Sequence, residues 1–510
     1  MKRRNFVKKT FLNSIGAYSV IQMGLNKAEL YYDSTTSDLS GDPLVRVVDL
    51  DVNEAIEVEL SDGKRAKLIV EKVDEIRDPI FNTLTDAVVR IVVNGVRQEV
   101  HCGNYRLPVS IGGVQVDCPA VGGYMEDAGT DWWKLKKAVR LRLWPGGSKW
   151  IQPGTFKYPI KQKWMASRTW FSNEAISPAR MGSVYYHAGM DIGAVEGITE
   201  VVAATNGKII TIGDETGEEV HPAARPRYDV VYVEDDRGWL YRYSHLNSID
   251  AKLKVGDRIK IGQRIGYVGK EGSSGGWSHL HFHIESLLPS GLWGIQDSYA
   301  FLWQAYLEEF KPEIVALSRP HVKTLIGLPV TLDASKSWSK SKITSYEWTF
   351  TDGTKDSGAV INRVYDKPGT YSEVVKITDS KGKIDYDFLI VMVYPQAQSE
   401  TTEVVAHSIP GVHVAYYPTR DIYPGDPVIF ISRGRGLKQP GGVDVYDFGD
   451  GSPKIELPTN LSDEQHAPNG YGTIVHHFSR PGHYIVRVDR TDPNSGYTGS
   501  QHLHITVNER

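Results

Sequence analysis

Short runs of Val, Ile, Tyr and Thr, in which apolar and polar side chains alternate, recur along this chain and constrain its fold more than any other feature. Alternation with a period of two places the apolar side chains on one face of a β-strand. The sequence also contains 49 Gly, which suits frequent turns between short strands. We therefore predict a mainly β protein. At 510 residues the chain is too long for one hydrophobic core, so we expect about three or four domains.

Changes in sequence pattern divide the chain into segments. Asp62-Gly63 and Asn94-Gly95 stand between alternating runs, where hairpin turns are expected. Apolar side chains at helical spacing in DSYAFLWQAYLEEF predict a helix that packs on the preceding β unit. The predicted segments are an N-terminal β domain over 44–165, a second β unit over 166–296, a helical linker over 297–312, and two sandwich-like modules over 313–396 and 400–510.

The two sandwich-like modules share an internal repeat. Each has a turn rich in Asp and Gly followed by an aromatic-Pro-Gly-aromatic segment: TFTDGTKDSG with VYDKPGTYSEVVKITD, then DFGDGSP with HFSRPGHYIVRVDRTD. These motifs resemble PKD domains, which are immunoglobulin-like β-sandwiches, and the resemblance is closer in the first copy. It implies modules that bind a surface polymer or a protein.

The charge of the chain argues against one class of partner. The formal net charge is -4, and no stripe of Lys and Arg lies beside aromatic residues. Proteins that bind nucleic acid need such a basic surface. We therefore expect no nucleic-acid partner.

The N-terminal residues 1–28 have the pattern of an export signal. A basic start precedes a modestly apolar stretch that is too short and too polar for a membrane span. The run RRNFVK resembles a twin-arginine signal, and an ordinary basic tail or Sec signal is the alternative. We expect an exported protein of the periplasm, cell envelope or extracellular space, with no transmembrane span after removal of the signal.

The chain has only two cysteines, Cys102 and Cys118. In an oxidising compartment they could pair across a short loop. They could equally be two small buried residues in adjacent strands. Two thiols are too few for a zinc site closed by four thiolates.

Histidines recur at alternate positions in SHLHFHIE. In a strand, His279, His281, His283 and Glu285 would share one face, and the apolar residues between them would face a core. With 16 His in 510 residues, three at alternate positions are improbable by chance. The pattern therefore indicates a histidine-lined site.

His187 and Asp191 form a second candidate ligand pair, in YYHAGMDIGA. Their spacing would suit one face of a helix, but Gly189 and Gly193 favour a loop or an extended segment. Catalytic zinc sites use three His or carboxylate ligands and leave the fourth position to water. The pair and the histidine-rich strand supply such ligands, although spacing alone does not say which strand histidine would bind.

Ordered motifs across about 185–286 resemble the M23 family of zinc metallopeptidases, also called the LytM or lysostaphin type. HAGMDIGAVEGITEVVAATNGKIITIG is similar to the H-x-G-x-D opening of the family, and YRYSHLNSI to its Y-x-H-L segment. VGDRIKIGQRIGYVGKEGSSGGWSHLHFHIE is similar to the glycine-rich approach to H-L-H-F. The resemblance implies an antiparallel β peptidase domain.

Carried over by position, the resemblance implies that His187, Asp191 and His281 bind Zn²⁺. His279 would be the general base, and His245 would donate a hydrogen bond to the oxyanion.

Two positions depart from the family pattern. His283 replaces a residue that is usually not histidine, and we expect a solvated strand residue there, with a partner of the metal ligands as the alternative. The loop from Gly269 to His279 is about one residue longer than usual, which leaves the shape of the substrate groove open.

Together with the signal-like N-terminus, the family resemblance implies an exported zinc endopeptidase that cuts peptides of peptidoglycan, in cross-links or stem peptides. Two alternatives stay open. One is a secreted protease that acts on glycine-rich proteins. The other is a non-catalytic M23-like protein that binds the cell wall or activates another wall enzyme.

Overall fold

The computed structural model describes residues 43–78, 80–180, 183–395, 409–437, 441–462 and 464–510. The predicted export signal at 1–28 lies outside these residues. Nearly all regular structure in the described residues is β-strand, which confirms the predicted mainly β, multidomain fold. None of their helices has the length and apolar character needed to cross a bilayer.

Two antiparallel sheets form the N-terminal β domain and enclose one apolar core. One sheet has the order β1-β8-β7-β6 and the other β2-β3-β4-β5. The elements are β1 (Arg46–Leu50), β2 (Ala55–Glu59), β3 (Arg65–Arg77), β4 (Leu84–Val93), β5 (Val96–Gly103), β6 (Val109–Ile111), β7 (Val114–Val121), α1 (Gly122–Asp127) and β8 (Val139–Pro145).

The predicted hairpins are present in this domain. Val93 pairs with Val96 across Asn94 and Gly95, whose φ angles of 49° and 82° are those a tight two-residue hairpin requires. Strands β2 and β3 pair across the loop that holds Gly63. Both cysteines are free thiols, buried in the domain core.

The second β unit is built on one large antiparallel sheet of order β15-β14-β16-β17-β21-β12-β9, with a smaller sheet β13-β20-β18. Its elements are β9 (Thr169–Phe171), β10 (Ala175–Arg180), β11 (Ser183–Tyr186), β12 (Met190–Gly193), β13 (Glu200–Val202), β14 (Gly207–Ile212), β15 (Glu215–Thr216), β16 (Val231–Glu234), β17 (Leu240–Ser244), β18 (Leu246–Ile249), β19 (Arg258–Ile259), β20 (Arg264–Val268), β21 (His279–Leu287), β22 (Trp293–Gln296) and α2 (Tyr299–Phe310).

The predicted helix is α2, and it packs into the core beneath the large sheet. Phe301 and Trp303 are buried there with Phe282 of β21. The helix ends at Phe310, and Lys311 caps it in a left-handed conformation with φ 46°. The segment that follows the last N-terminal strand also enters this core through Phe156. One face of β21 is therefore fixed by apolar packing.

Two β-sandwich modules complete the described chain. The first contains β23 (Ile314–Val315), β24 (Val322–Leu325), β25 (Pro329–Asp333), β26 (Trp338–Ser339), β27 (Ile343–Thr349), β28 (Lys355–Ser357), β29 (Val360–Val364), β30 (Gly369–Asp379) and β31 (Ile384–Tyr394). The second contains β32 (Gly411–Tyr417), β33 (Val428–Arg435), β34 (Val443–Asp447), β35 (Ile455–Pro458), β36 (Gly472–His476), β37 (Gly482–Thr491) and β38 (Thr498–Val507). Each module has its own core.

The internal repeat has the same local structure in both modules. In the first, the hydroxyl of Tyr371 donates to the carbonyl of Lys367 at 2.8 Å. In the second, the hydroxyl of Tyr484 donates to the carbonyl of Arg480, also at 2.8 Å. The aromatic-Pro-Gly-aromatic segment thus closes an equivalent corner at the start of β30 and of β37.

Candidate active site

Strand β21 carries the histidines that the sequence singles out. Antiparallel pairing places Asp191 of β12 opposite His281, and Ser244 at the end of β17 on the other side. Leu280 and Phe282 are fully buried in the core, so the alternating histidines lie on the other face of the sheet, as predicted. His187 lies in the loop before β12 and adopts no helix, which also agrees with the sequence.

His187, Asp191 and His281 offer ligand atoms that all lie within 4.8 Å of one another. Oδ1 of Asp191 is 3.0 Å from Nε2 of His187 and 2.7 Å from Nδ1 of His281. Burial alone would raise the pKa of Asp191, but the neighbouring imidazoles of His187 and His279 outweigh burial and hold this pKa well below its usual range. The carboxylate is therefore ionised, as a metal ligand must be.

The donor set fits Zn²⁺. Two imidazoles and one carboxylate form a common three-ligand set for a catalytic zinc. Both ring nitrogens of His187 are buried and make no hydrogen bond, although Nε2 lies near Asp191. A buried polar atom without a partner costs free energy, and a bound cation would remove that cost.

His279 is oriented by the backbone beside it. Nδ1 lies 2.9 Å from the carbonyl oxygen of Trp277. Because a carbonyl only accepts, Nδ1 carries the hydrogen, and Nε2 keeps a lone pair. Nε2 lies 3.3 Å from Oδ2 of Asp191, at the edge of the ligand cluster. The ring also stacks on Trp277, with centroids 3.9 Å apart and planes at 17°. The structure thus places an imidazole nitrogen with a lone pair beside the three candidate ligands.

His245 lies next to His279, with ring centroids 4.6 Å apart. Burial lowers the pKa of His245 to about 4, so the ring is neutral near pH 7. Nδ1 donates to the carbonyl of Glu271 at 2.7 Å, which leaves Nε2 as an acceptor. The neutral ring cannot donate from Nε2, and the predicted donation to an oxyanion would need the charged imidazolium.

His283 is not a solvated residue, so the prediction for this position was wrong. Only 1% of the residue is exposed. Its Nδ1 lies 2.9 Å from Nε2 of His281, and its Nε2 lies 2.9 Å from Oε1 of Glu285. The loop at Gly189 passes directly over it, since a Cβ at Gly189 would meet the Cβ of His283 at 2.5 Å. This cover comes from a distant part of the chain, and strand alternation does not reveal it.

Sequence reasoning missed the residues that support His245. The backbone N–H of His245 donates to Oδ2 of Asp229 at 2.9 Å, and Arg227 binds the same carboxylate. Burial would raise the pKa of Asp229, but hydrogen bonds from His245 and Arg227 hold it well below its usual range. Arg227 and Asp229 precede β16 and carry no motif, so no sequence signal would have found them. Glu285 was noted only as part of the strand face.

The second sandwich module contacts the glycine-rich loop before His279. The backbone N–H of Ser278 donates to the hydroxyl of Tyr471 at 2.8 Å. Nε2 of His466 lies 2.7 Å from the carbonyl of Gly272, to which it donates. The side chain of Arg435 lies over Trp277, with Cζ 5.6 Å from the ring centroid. The longer loop expected from the sequence is therefore held by the C-terminal module.

Comparison with known proteins assigns two of the domains. Residues 185–289 match Peptidase family M23, and residues 311–391 match the PKD domain. Collagenase ColA of Bacillus cereus is 28% identical over 154 residues, which are 30% of this chain and 14% of that protein. The chain thus spans about a seventh of the length of this curated relative.

Two solved structures align with parts of the chain at low TM-scores. Helicobacter pylori Csd3 has 15% identity over 47% of this chain and 82% of its own, with a TM-score of 0.21. The PKD domain from KIAA 1837 protein has 24% identity over 17% of this chain and 91% of its own, with a TM-score of 0.15.

Proposed function

We propose that this chain, which contains a Peptidase family M23 domain and a PKD domain, is an exported zinc-dependent endopeptidase that hydrolyses peptide bonds in peptidoglycan. The family match supports a peptidase. The observation that carries the proposal is the convergence of His187, Asp191 and His281, with the lone pair of His279 beside them.

In this proposal His187, Asp191 and His281 hold the metal. Zn²⁺ in such a site supplies Lewis acidity toward a carbonyl oxygen and acidifies water. The ionised Asp191 and a ring nitrogen of His187 are available to bind a cation, since neither ring nitrogen of His187 makes a well-formed hydrogen bond. The buried position of all three residues keeps competing water away from the ligands.

His279 is the proposed general base. Its Nδ1–H donates to Trp277, so Nε2 can take a proton from the attacking water and later deliver it to the leaving amine. Stacking on Trp277 prevents rotation of the ring during both transfers. The ring of His245 lies 4.6 Å from that of His279, and its Nε2 lone pair can accept a hydrogen bond from the water or from a substrate N–H.

The two sandwich modules are proposed to bind a surface polymer or protein near the substrate. The second module adjoins the site through Tyr471 and His466, so a polymer bound there would lie close to the catalytic loop. Export follows from the signal-like residues 1–28 and from the location of the proposed substrate.

Digestion of purified peptidoglycan by the full-length, zinc-loaded protein tests this function. We expect new amine termini that depend on zinc, and their released peptides identify the bond that is cut. His279→Ala should bind zinc and release nothing. His477→Ala, which changes an exposed histidine of the last module, is the matched control and should be fully active.

The absence of zinc-dependent amine termini would overturn the substrate assignment. Activity of His279→Ala at the wild-type rate would overturn the role of His279. A parallel digestion of a glycine-rich protein tests the alternative of a secreted protease, which would cut that protein rather than peptidoglycan.

A further inference from the structure

Arg435 brings a positive charge from the C-terminal module to the candidate active site. It is the last residue of β33, and its Cζ lies 5.6 Å from the ring centroid of Trp277. That ring stacks on His279 at 3.9 Å. Together the two contacts place the Cζ of Arg435 no more than about 9.5 Å from the His279 ring. The charge is therefore within reach of a bound peptide.

The guanidinium of Arg435 lies over the ring of Trp277 and makes neither an ion pair nor a hydrogen bond with the residues that the structure describes. Its neighbours on the same module differ. Arg433 donates to the carbonyls of Glu464 and Gln465, and Arg490 pairs with Asp444. Arginine keeps its charge at physiological pH, so an unpaired guanidinium in a site retains its full capacity to bind an anion.

The position of Arg435 is fixed by the packing around it. Trp277 lies under the guanidinium, and a Cβ on Gly275 would lie 3.9 Å from its Nη2. Tyr471, which accepts from the N–H of Ser278, belongs to the same module and holds it against the loop. A preorganised guanidinium loses less conformational entropy when it binds a carboxylate.

We infer that Arg435 binds a carboxylate of the peptide substrate close to the bond that is cut. An extended peptide rises about 3.3 Å per residue, so about 9.5 Å corresponds to roughly three residues. The guanidinium can bind a carboxylate through two parallel hydrogen bonds. The substrate class is thus an acidic peptide, whose carboxylate is a chain terminus or an acidic side chain. This inference rests on the proposed peptidase function.

Two matched peptide pairs test the inference on the full-length, zinc-loaded protein. One pair consists of a short peptide of small residues with a free C-terminal carboxylate and the same peptide with a C-terminal amide. The other pair is amidated and carries Glu or Gln within three residues of the cleaved bond. Wild type and Arg435→Gln are compared by kcat and KM, and Arg480→Gln, an exposed arginine of the same module, is the control.

We expect wild type to prefer the carboxylate member of at least one pair. Arg435→Gln should lower kcat/KM for that member by about 10- to 100-fold, mainly through KM, and should change the neutral member less than twofold. Arg435→Lys should restore part of the preference. The pair that responds distinguishes a terminal carboxylate from a side chain.

Equal treatment of acid and neutral peptides by wild type would overturn the inference. An equal loss of kcat/KM for the charged and the neutral peptide in Arg435→Gln would also overturn it, because that result would show that Arg435 only supports the position of Trp277. Dissociation constants measured for the same peptides keep the test independent of turnover. Failure to cut any peptide counts against the proposed function, whereas equal binding of acid and amide counts against Arg435.

Discussion

The hydrogen bonds of His283 predict how tightly this chain binds zinc. Oε1 of Glu285 only accepts, so Nε2 of His283 carries a hydrogen, and its Nδ1 accepts from Nε2 of His281. Bound zinc would take the place of the hydrogen that the ionised Asp191 accepts from Nδ1 of His281 at 2.7 Å, and Nδ1 would then offer its lone pair while Nε2 donates to His283. The chain of bonds therefore selects the tautomer that can bind the metal.

Replacing His283 with Phe removes this orientation and keeps an aromatic ring in a buried position. Partners that orient metal ligands typically change metal affinity by about 10- to 100-fold, which corresponds to roughly 1.4 to 2.8 kcal/mol. We expect a loss in this range for His283→Phe. Glu285→Gln keeps an acceptor oxygen and should lose less than about tenfold.

Competition with a chromophoric zinc chelator measures the affinity, and the zinc-dependent rise in Tm gives a second value through ligand linkage. His279→Ala is the matched control from the same strand face. Its Nδ1 bonds to the carbonyl of Trp277, and its Nε2 lies 3.3 Å from Oδ2 of Asp191 without bonding to His281, so it should lose less zinc affinity than His283→Phe. Wild-type zinc affinity in His283→Phe would refute the reasoning about the tautomer.

Three further predictions concern other parts of the molecule. Asp229→Ala should lower kcat by about 10- to 100-fold at unchanged zinc content, because it removes the acceptor for the N–H of His245. Steady-state kinetics together with zinc analysis measure this effect, and an unchanged kcat would contradict it. Burial lowers the pKa of His502 to about 4 in the folded protein, whereas a histidine in the unfolded chain has a pKa of about 6.5. Protonation therefore favours the unfolded chain, and the stability present above pH 6.5 is lost as the pH falls toward 4. The loss at pH 5 is about 2 kcal/mol, and the Tm of His502→Phe should fall less than that of wild type between pH 7 and 5. Trp303→Ala should lower the free energy of unfolding by about 3 to 5 kcal/mol, measured in urea, and a loss under 1 kcal/mol would mean that α2 is not part of the core.

The sequence predicted those features that depend on local pattern. Alternation placed His279 and His281 on one face of β21, because the strand period is a property of the backbone. The hairpin at Asn94-Gly95 follows from the positive φ angles that these two residues tolerate. The helix Tyr299–Phe310 follows from apolar spacing. The family match at 185–289 confirms the resemblance stated from the motifs.

Features that depend on contacts between distant segments could not be predicted from the sequence pattern. The burial of His283 comes from the loop at Gly189, about 90 residues earlier. The backbone carbonyl of Glu271 decides which ring nitrogen of His245 carries the hydrogen, and a backbone contact of this kind does not depend on the type of residue at 271. Arg435 reaches the site only because two domains pack together. In each case the two contacting residues are far apart in the sequence, and the local pattern of neither residue shows that they meet.

The contact between the last sandwich module and the glycine-rich loop has a consequence for the order in which the site is completed. Translation delivers residues 409–510 after the whole peptidase domain has left the ribosome. Until Tyr471 arrives, the N–H of Ser278 lacks its acceptor, and the carbonyl of Gly272 lacks His466. A chain that ends before residue 409 would therefore lack two of the hydrogen bonds that hold the loop beside His279, while the contacts among His187, Asp191 and His281 lie within the peptidase domain itself.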